Sequence, residues 1–172
     1  MFPKELRILV EHDDLSYWVN SDICGLLEDL QSYSKLVFLC DSNTRPYAVD
    51  LSQSFKEVVV EEIPAGEGSK SFQQLESSCE RLAGKIDRKT AIIAVGGGVV
   101  GDFGGFLSAI FLRGLDFFLV PTTLLSMVDS SIGGKTAINL KKGKNLVGSF
   151  VTPKGLWINF ESLNTLPKEH LD

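Results

Sequence analysis

Two short segments are apolar at every position, and they constrain the fold more than any other feature of the sequence. Residues 36–40 read LVFLC, and residues 91–95 read AIIAV. A strand that is apolar on both faces must be covered on both faces, as in a parallel sheet with helices on either side. These segments therefore predict the central strands of an α/β domain.

Strand-like and helical patterns alternate through the rest of the chain. Apolar residues after Ser71 recur at helical spacing, Ser71 with Gln74 fits a capping box, and Gly84 suits the residue after the helix. This alternation predicts a Rossmann-like, mostly parallel sheet with flanking helices. The apolar residues that recur at helical spacing after Ser71, which form one stripe of the predicted helix, are Phe72, Leu75, Cys79, Leu82 and Ala83. The remaining predicted elements are strands at 6–10, 57–63, 117–120 (ended by Pro121) and 156–160, and helices at 23–30 and 43–51.

Composition excludes several classes of protein. The net charge of -5 is unsuited to general binding of nucleic acid or anionic membranes. Three widely spaced cysteines, an odd number, do not form a disulfide framework or a cysteine-rich zinc site, and we interpret them as buried thiols in a reducing compartment. The N-terminus lacks an apolar run of signal length, and the apolar stretches at 91–100 and 117–125 are interrupted by Gly, Pro and Thr. We therefore expect a soluble cytoplasmic protein.

A glycine turn, GGGVVG at 96–101, follows the strand at 91–95 and opens a helix. Backbone N–H groups in such a turn can bind a pyrophosphate, although a tight packing turn has the same pattern. The acidic residue expected at the end of the next strand is missing, because Asp116 begins its strand. Asp41 and Asn43, just after 36–40, are better candidates for a ribose contact, and they could equally cap the helix at 43–51.

The sequence GGKT at 133–136 is similar to the end of a phosphate-binding P-loop. That motif requires a glycine five residues before Gly134, and Asp129 occupies the position. Several polar side chains nevertheless lie among glycines here, as an anionic substrate would require: Asp129, Ser130, Lys135, Lys144 and Asn145. A β-hairpin near 137–148, with KKGK at its turn, is the structural alternative, and it could itself present Lys144 and Asn145.

Other polar residues allow two interpretations each. Glu67 and Lys70 begin a helix, where Lys70 either reaches a phosphate or is a solvated surface lysine. Thr122 and Thr123 follow a strand and could contact a ligand or cap a helix. Arg113 could bind a phosphate or act as a cation at a helix C-terminus. The two histidines, at 12 and 170, are too far apart for a paired metal site.

Several motifs in the same order identify a family resemblance. GGGVVGDFGGF, RG, VPTTLLSMVDSSIGGKTAIN, GKNLVGSF and LNTLP together resemble 3-dehydroquinate synthase, a member of the superfamily that includes iron-containing alcohol dehydrogenases. The match is strongest in the last third of the chain, and PAGEGSK and DSN extend it upstream.

The resemblance implies a lyase of the shikimate pathway of aromatic amino acid biosynthesis. The family converts 3-deoxy-arabino-heptulosonate 7-phosphate to 3-dehydroquinate and phosphate through transient oxidation by NAD, with a divalent metal (zinc or cobalt) at the substrate. It also implies a homodimer, and no nucleic-acid or membrane partner. Alternatives are a related sugar-phosphate cyclase, a polyol dehydrogenase, or a stand-alone nucleotide-binding module.

Site residues follow from the resemblance position by position. Asp129, Lys135 and Asn145 correspond to substrate-binding catalytic residues, and Arg113 corresponds to a residue that reaches the substrate phosphate of the partner subunit. The cofactor-binding set is Asp41, Asn43, Gly66, Glu67, Lys70, Gly97, Gly98, Val99, Val100, Gly101, Asp102, Thr122, Thr123, Leu125, Asp129, Ser130, Lys135, Lys144, Ser162 and Thr165.

The resemblance also predicts the domain organisation. Residues 1–165 would form the NAD-binding domain, and 166–172 would start an all-helical C-terminal domain that is absent from this chain. The family's metal ligands lie in that second domain, so no metal ligand is expected here. We therefore expect this chain to be a truncated part of the enzyme, inactive by itself.

Overall fold

The computed structural model describes residues 16–19 and 29–165. The predicted strand at 6–10, most of the predicted helix at 23–30, and the segment 166–172 lie outside the described residues. The described part contains eight strands: β1 Ser16–Val19, β2 Lys35–Asp41, β3 Val58–Ile63, β4 Thr90–Gly96, β5 Asp116–Pro121, β6 Lys135–Leu140, β7 Gly143–Phe150 and β8 Gly155–Ile158.

Six of these strands form one sheet in the order β1-β8-β5-β4-β2-β3, and every pair in it is parallel. The prediction of a parallel α/β sheet is thus confirmed. Every residue of β4 and all but the first of β2 are buried, which explains their continuous apolar sequences. One apolar cluster lies on each face of the sheet.

The strand order creates a crevice at one edge of the sheet. From β2 the chain moves outward to β3 and then crosses back to β4 on the other side of β2. Ligands of open α/β sheets bind outside the carboxyl ends of strands where the order reverses in this way. The switch point therefore lies between the ends of β2 and β4, at Asp41 and Gly96.

Three α-helices are described: α1 Arg45–Ser52, α2 Phe72–Leu82 and α3 Gly98–Ile110. The Ser71 hydroxyl accepts a hydrogen bond from the Gln74 N–H at 3.2 Å, which confirms Ser71 as the cap of α2, whereas the Gln74 side chain donates to Ser78 Oγ at 3.3 Å instead of completing the capping box. Gly84 has a φ of 75°, as expected for a residue that ends a helix. The predicted stripe is wrong at Phe72 and Ala83, which are exposed because they lie at the two ends of α2.

Helix α3 packs between the sheet and the β6–β7 hairpin, and its small residues permit both contacts. A Cβ on Gly104 would lie 2.8 Å from Leu39 Cδ2 on the sheet side. A Cβ on Gly105 would overlap the Thr136 methyl group of β6 on the other side. The small-residue sequence of this helix therefore fixes the hairpin close to the sheet.

Element boundaries differ from the predictions in several places. The hairpin spans 135–150 rather than 137–148, α1 begins two residues late, Pro121 is the last residue of β5, and β8 ends at Ile158. Strand β1 and a π-helical turn at Ser126–Ser130 were not predicted. Parallel pairing explains two of these differences. Pro121 belongs to β5 because it pairs with Gly96 of β4, and residues 16–19 form β1 because they pair with β8.

The described thiols agree with the interpretation of buried cysteines. Cys40 is fully buried in β2 and Cys79 is half-buried in α2, and neither forms a disulfide. Burial raises the pKa of the Cys40 thiol to about 12, so it stays protonated and unreactive near neutral pH. Within 16–19 and 29–165, no helix is long and apolar enough to cross a membrane.

Candidate functional site

A cavity of about 520 Å³ brings together five of the predicted site residues. Asp102 reaches it from α3, Asp129 and Ser130 from the π-helical turn, and Lys135 and Asn145 from the hairpin. π-helical turns occur frequently at functional sites. The cavity therefore combines side chains from three elements and carries both signs of charge. Its other lining residues are Ile132, Thr136, Ala137, Gly148, Ser149 and Phe150.

The glycine turn lies beside this cavity and is open to an anion. Gly96 ends β4, Gly97 caps α3, and Gly98 is its first residue, with no side chain capping the helix. The N–H groups of the first turn are therefore available to a ligand. A Cβ on Gly98 would lie 3.1 Å from Ser130 Oγ, so the turn and the cavity are in direct contact.

Thr122 supplies a second indication of a ligand site. Its N–H donates to the Gly96 carbonyl at 3.0 Å, which places it directly against the glycine turn. Its hydroxyl is buried and finds no hydrogen-bond partner among the described residues. Buried hydroxyls are nearly always paired, so this group is suited to a bound molecule. By contrast, the Thr123 hydroxyl is paired with Ser126 at 2.8 Å.

Lys70 is the centre of a charged network. Its side chain is 3% exposed, and Nζ donates to Asp102 Oδ2 and to Asn145 Oδ1, each at 2.6 Å. The alternative of a solvated surface lysine is therefore wrong. Burial raises the pKa of Asp102, and the hydrogen bond and charge of Lys70 oppose that rise. The network connects α3 to the hairpin.

Glu67 adds a second carboxylate to the network. Its Oε1 lies 3.6 Å from Lys70 Nζ and accepts a hydrogen bond from Asn139 Nδ2 at 2.8 Å. The Asn139 hydrogen bond is the main cause that holds the pKa of Glu67 below its usual value, with Lys70 contributing. Glu67 begins a short 3-10 turn after Gly66, whose φ of 96° requires glycine.

The Asp41 carboxylate accepts hydrogen bonds from the backbone at the switch point. Its Oδ1 accepts from the Asn43 and Thr44 N–H groups at 3.0 and 2.9 Å, and the Thr44 hydroxyl donates to the Val95 carbonyl. The capping alternative is therefore wrong for both residues, because the N-cap of α1 is Thr44 and the Asp41 side chain bonds only the turn that precedes the helix. Asn43 remains exposed beside the crevice. A cofactor role for Asp41 and Asn43 stays a prediction.

A second cavity, of about 790 Å³, lies beside the hairpin turn. Glu67 and Lys70 line it together with Lys141, Lys142 and Lys144. The lysines make this end of the hairpin basic and therefore attractive to an anionic group. Lys144 is thus adjacent to the Lys70 network and does not line the first cavity with the polar residues that the sequence grouped it with, and its role as a cofactor contact stays a prediction.

Other predicted residues lie apart from the two cavities. Arg113 follows the C-terminal end of α3, roughly 20 Å from the glycine turn at the 1.5 Å rise of a helix. It lies in a short 3-10 turn beyond that helix, with a φ of 71°. Leu125 is 68% exposed, Val100 is buried and can offer only its backbone, and Ser162 is buried in the 3-10 helix Phe160–Thr165. Their roles stay predictions.

Sequence reasoning missed Asn139 and the apolar wall of the first cavity. Asn139 hydrogen-bonds to Glu67 and Asn145, and its N–H donates to the Lys70 carbonyl at 2.7 Å. An asparagine within an otherwise strand-like pattern is the signal that could have revealed it, because strands are depleted in asparagine. Ile132 and Phe150 are 53% and 82% exposed, respectively.

The described residues contain no group of three or more His, Cys, Asp or Glu side chains that could hold a metal ion. Asp102 and Asp129 do line one cavity, but Lys70 neutralises Asp102. Hard divalent cations bind several oxygen ligands, and zinc prefers imidazole or thiolate ligands. The donor set of this cavity therefore does not fit a metal centre by itself.

Solved structures share this fold. The crystal structure of 2-deoxy-scyllo-inosose synthase complexed with carbaglucose-6-phosphate, NAD+ and Co2+ matches 91% of the chain with a TM-score of 0.82 and 27% identity. A 2-epi-5-epi-valiolone synthase from Streptomyces hygroscopicus subsp. jinggangensis, with NAD+ and Zn2+ bound, matches 99% with a TM-score of 0.78 and 22% identity. The match covers 46% and 49% of those chains, respectively. The chain is thus a Rossmann-like α/β domain with the fold of these cyclases.

The sequence comparisons define the family. Residues 60–172 match the family model for the 3-dehydroquinate synthase N-terminal region. A 3-dehydroquinate synthase from Methylacidiphilum infernorum is 56% identical over 147 residues, which cover 83% of this chain and 41% of that protein. The chain therefore belongs to the 3-dehydroquinate synthase family. The chain spans half or less of the length of the curated 3-dehydroquinate synthases that it matches.

Proposed function

We propose that this chain is the NAD-binding part of a 3-dehydroquinate synthase. The observation that carries the proposal is the glycine turn at α3, which opens directly onto a cavity containing Asp102, Asp129, Ser130, Lys135 and Asn145. Relatives named 3-dehydroquinate synthase and the cyclase structures with bound NAD+ support the same assignment.

In this proposal the pyrophosphate of NAD binds the N-terminal turn of α3. The backbone N–H groups after Gly97 donate to it, since no side chain caps this helix end. The unpaired Thr122 hydroxyl donates to the cofactor beside that turn. The basic side chains around the second cavity, Lys144 among them, attract its negative charge.

The whole protein would convert 3-deoxy-arabino-heptulosonate 7-phosphate to 3-dehydroquinate and phosphate. When bound, NAD supplies transient oxidation of a substrate alcohol. Lys135 and Asn145 would orient the anionic substrate in the first cavity, and Asp129 would accept a hydrogen bond from its hydroxyl groups. No step is assigned to a metal in this chain, since its described residues lack a suitable ligand set. Homodimer formation, with Arg113 reaching the partner's site, and a cytoplasmic location stay predictions.

Calorimetric titration of the 172-residue chain with NAD tests the proposal, and Mg-ATP is the competing ligand. We expect NAD to bind and Mg-ATP not to bind. Gly98→Asp adds a carboxylate where a helix N-terminus tolerates negative charge, and its Cβ meets only the Ser130 side chain, at 3.1 Å, which has to shift by a small amount, so the fold should persist. Because it displaces the pyrophosphate, NAD affinity should fall by about tenfold or more, equivalent to about 1.4 kcal/mol.

Gln53→Glu is the matched charge control, because Gln53 is exposed at the far end of α1. Its NAD affinity should equal that of the unmodified chain. ATP binding without NAD binding, or an unaffected Gly98→Asp variant, would contradict the proposal. Phosphate release measured with the sugar-phosphate substrate and NAD tests the expected inactivity of this chain, and turnover would refute it.

A further inference from the structure

Asn139 connects three segments of the candidate site through three hydrogen bonds. Its Nδ2 donates to Glu67 Oε1 at 2.8 Å, and its Oδ1 accepts from the Asn145 N–H at 2.8 Å. Its own N–H donates to the Lys70 carbonyl at 2.7 Å. The residue therefore joins the hairpin to the turn that carries Glu67 and Lys70.

The hairpin is irregular at this position. Ile138 pairs with Val147 and Leu140 pairs with Gly143, so Asn139 alone opposes three residues of β7. The middle one, Asn145, has a φ of 55°, in the left-handed region that non-glycine residues rarely adopt. The Asn139 side chain supplies the acceptor that the regular ladder would have offered to the Asn145 N–H. It therefore stabilises the bulge.

The bulge determines where Asn145 points. Bulges next to active sites commonly redirect a side chain, and here Asn145 Oδ1 receives the 2.6 Å hydrogen bond from Lys70 Nζ. Lys70 in turn binds Asp102 on α3. Asn145 also lines the first cavity, so its orientation affects both the network and the cavity.

The chemistry at Asn139 requires a side-chain amide. The carboxylate of Glu67 needs a donor, and the Asn145 N–H needs an acceptor. An aspartate could satisfy only the second partner, and an alanine neither. If the Asn139 amide were flipped, its NH2 group would face the Asn145 N–H and its oxygen would face the Glu67 carboxylate, so both hydrogen bonds would be lost. Asparagine therefore fits both partners in one orientation.

We propose that Asn139 is a positioning residue of the NAD and substrate site: it holds the Asn145 bulge and Glu67 together so that Lys70, Asp102 and Asn145 keep one geometry. The inference rests on the proposed function for the identity of the ligand. Asn139 itself need not touch that ligand, because it acts through Glu67 and Asn145.

A reversal of one hydrogen bond tests this role in the 172-residue chain. Asn139→Asp places two carboxylates in contact, and the NAD dissociation constant should rise by about tenfold. Adding Glu67→Gln restores a donor–acceptor pair in the opposite direction. The double variant should therefore bind NAD within about threefold of Glu67→Gln alone. Gln53→Glu is again the charge control and should have no effect.

Hydrogen exchange at the Asn145 amide gives a readout that does not depend on NAD. In Asn139→Ala this amide loses its acceptor, so its exchange should accelerate by about tenfold or more while amides of β4 stay protected. Unchanged exchange, or a double variant no better than Asn139→Asp, would overturn the inference. An unmodified chain that does not bind NAD would overturn the proposed function instead, and the Asn145 exchange rate would still decide whether Asn139 holds the bulge.

Discussion

Lys70→Met tests whether the buried ion pair determines the stability of this site. Methionine keeps most of the apolar stem but removes the charge and the donors. Asp102 then loses its 2.6 Å partner, and the Asn145 side chain loses its only hydrogen bond given by the described residues. The variant therefore leaves a carboxylate uncompensated inside the fold.

The expected loss follows from the burial of the two partners. Removing one member of a buried ion pair costs about 3–5 kcal/mol. Lys70 is 3% exposed, but Asp102 keeps 21% exposure, so water screens part of the isolated charge. We therefore expect the free energy of unfolding to fall by about 2–3 kcal/mol at pH 7, a decrease in Tm of roughly 4–12 °C for a chain of this size.

The pH dependence tests whether a carboxylate beside Lys70 is the cause, and the Asp102→Asn variant below separates Asp102 from Glu67. Burial already raises the pKa of Asp102 in the folded chain, and without Lys70 that pKa rises further. A carboxyl whose pKa is raised by folding binds more protons in the folded state than in the unfolded state. Its contribution to the free energy of unfolding is therefore fully present below its unfolded pKa of about 3.9 and is lost as pH rises through the folded-state pKa. The deficit of Lys70→Met should therefore shrink between pH 7 and about pH 4.5.

Urea unfolding of both chains across this pH range measures the effect. Lys154→Met, at an exposed lysine, controls for the loss of a positive charge. Adding Asp102→Asn to Lys70→Met should recover more than half of the lost stability at pH 7, since the buried charge is gone. A deficit below about 0.5 kcal/mol, the range of ordinary surface substitutions, would refute the reasoning, as would a deficit independent of pH.

Three further predictions concern packing, capping and ionisation. Gly105→Ala forces a methyl group against Thr136 and should lower the free energy of unfolding by about 1–3 kcal/mol, measured in urea. Ser71→Ala removes the cap of α2 and should cost about 1 kcal/mol in the same assay. The hydrogen bond from Asn139 lowers the pKa of Glu67 in the folded chain. The contribution of Glu67 to the free energy of unfolding is therefore present above its unfolded pKa of about 4.3 and is lost as pH falls through the folded-state pKa. Thermal unfolding of Glu67→Gln from pH 6 to 3 should therefore show a smaller decline than that of the unmodified chain, and an equal decline would contradict this.

The sheet was predictable because its strongest signal is local. Strands β2 and β4 are buried on both faces, and their sequences are apolar throughout. The order of the strands was not predictable in the same way, because it depends on pairing between distant segments. Strand β1, for example, pairs with β8 at the opposite end of the described chain.

The candidate site was predicted only where a short motif has a physical meaning. The glycine turn was found because a strand, glycines and a helix start occur in sequence, and the structure places them so. The Lys70 environment was not apparent, since its partners Asp102 and Asn145 lie 32 and 75 residues away. A lysine flanked by two serines is typical of a surface, and only the tertiary fold buries it.

Buried ion pairs are poor sources of stability, so stability alone does not explain why Lys70 is buried in this fold. Desolvation of Lys70 and Asp102 offsets much of their attraction, and apolar residues of similar volume would stabilise the same position at least as well. The pair does, however, require one arrangement of α3, the Glu67 turn and the hairpin, because its hydrogen bonds are directional. The glycine contacts set how closely the hairpin approaches α3, and the hydrogen bonds of the pair add a directional constraint. We therefore infer that the network serves the geometry of the cavity. Lys70→Met should lower NAD affinity, and Lys70→Met/Asp102→Asn should recover stability without recovering that affinity.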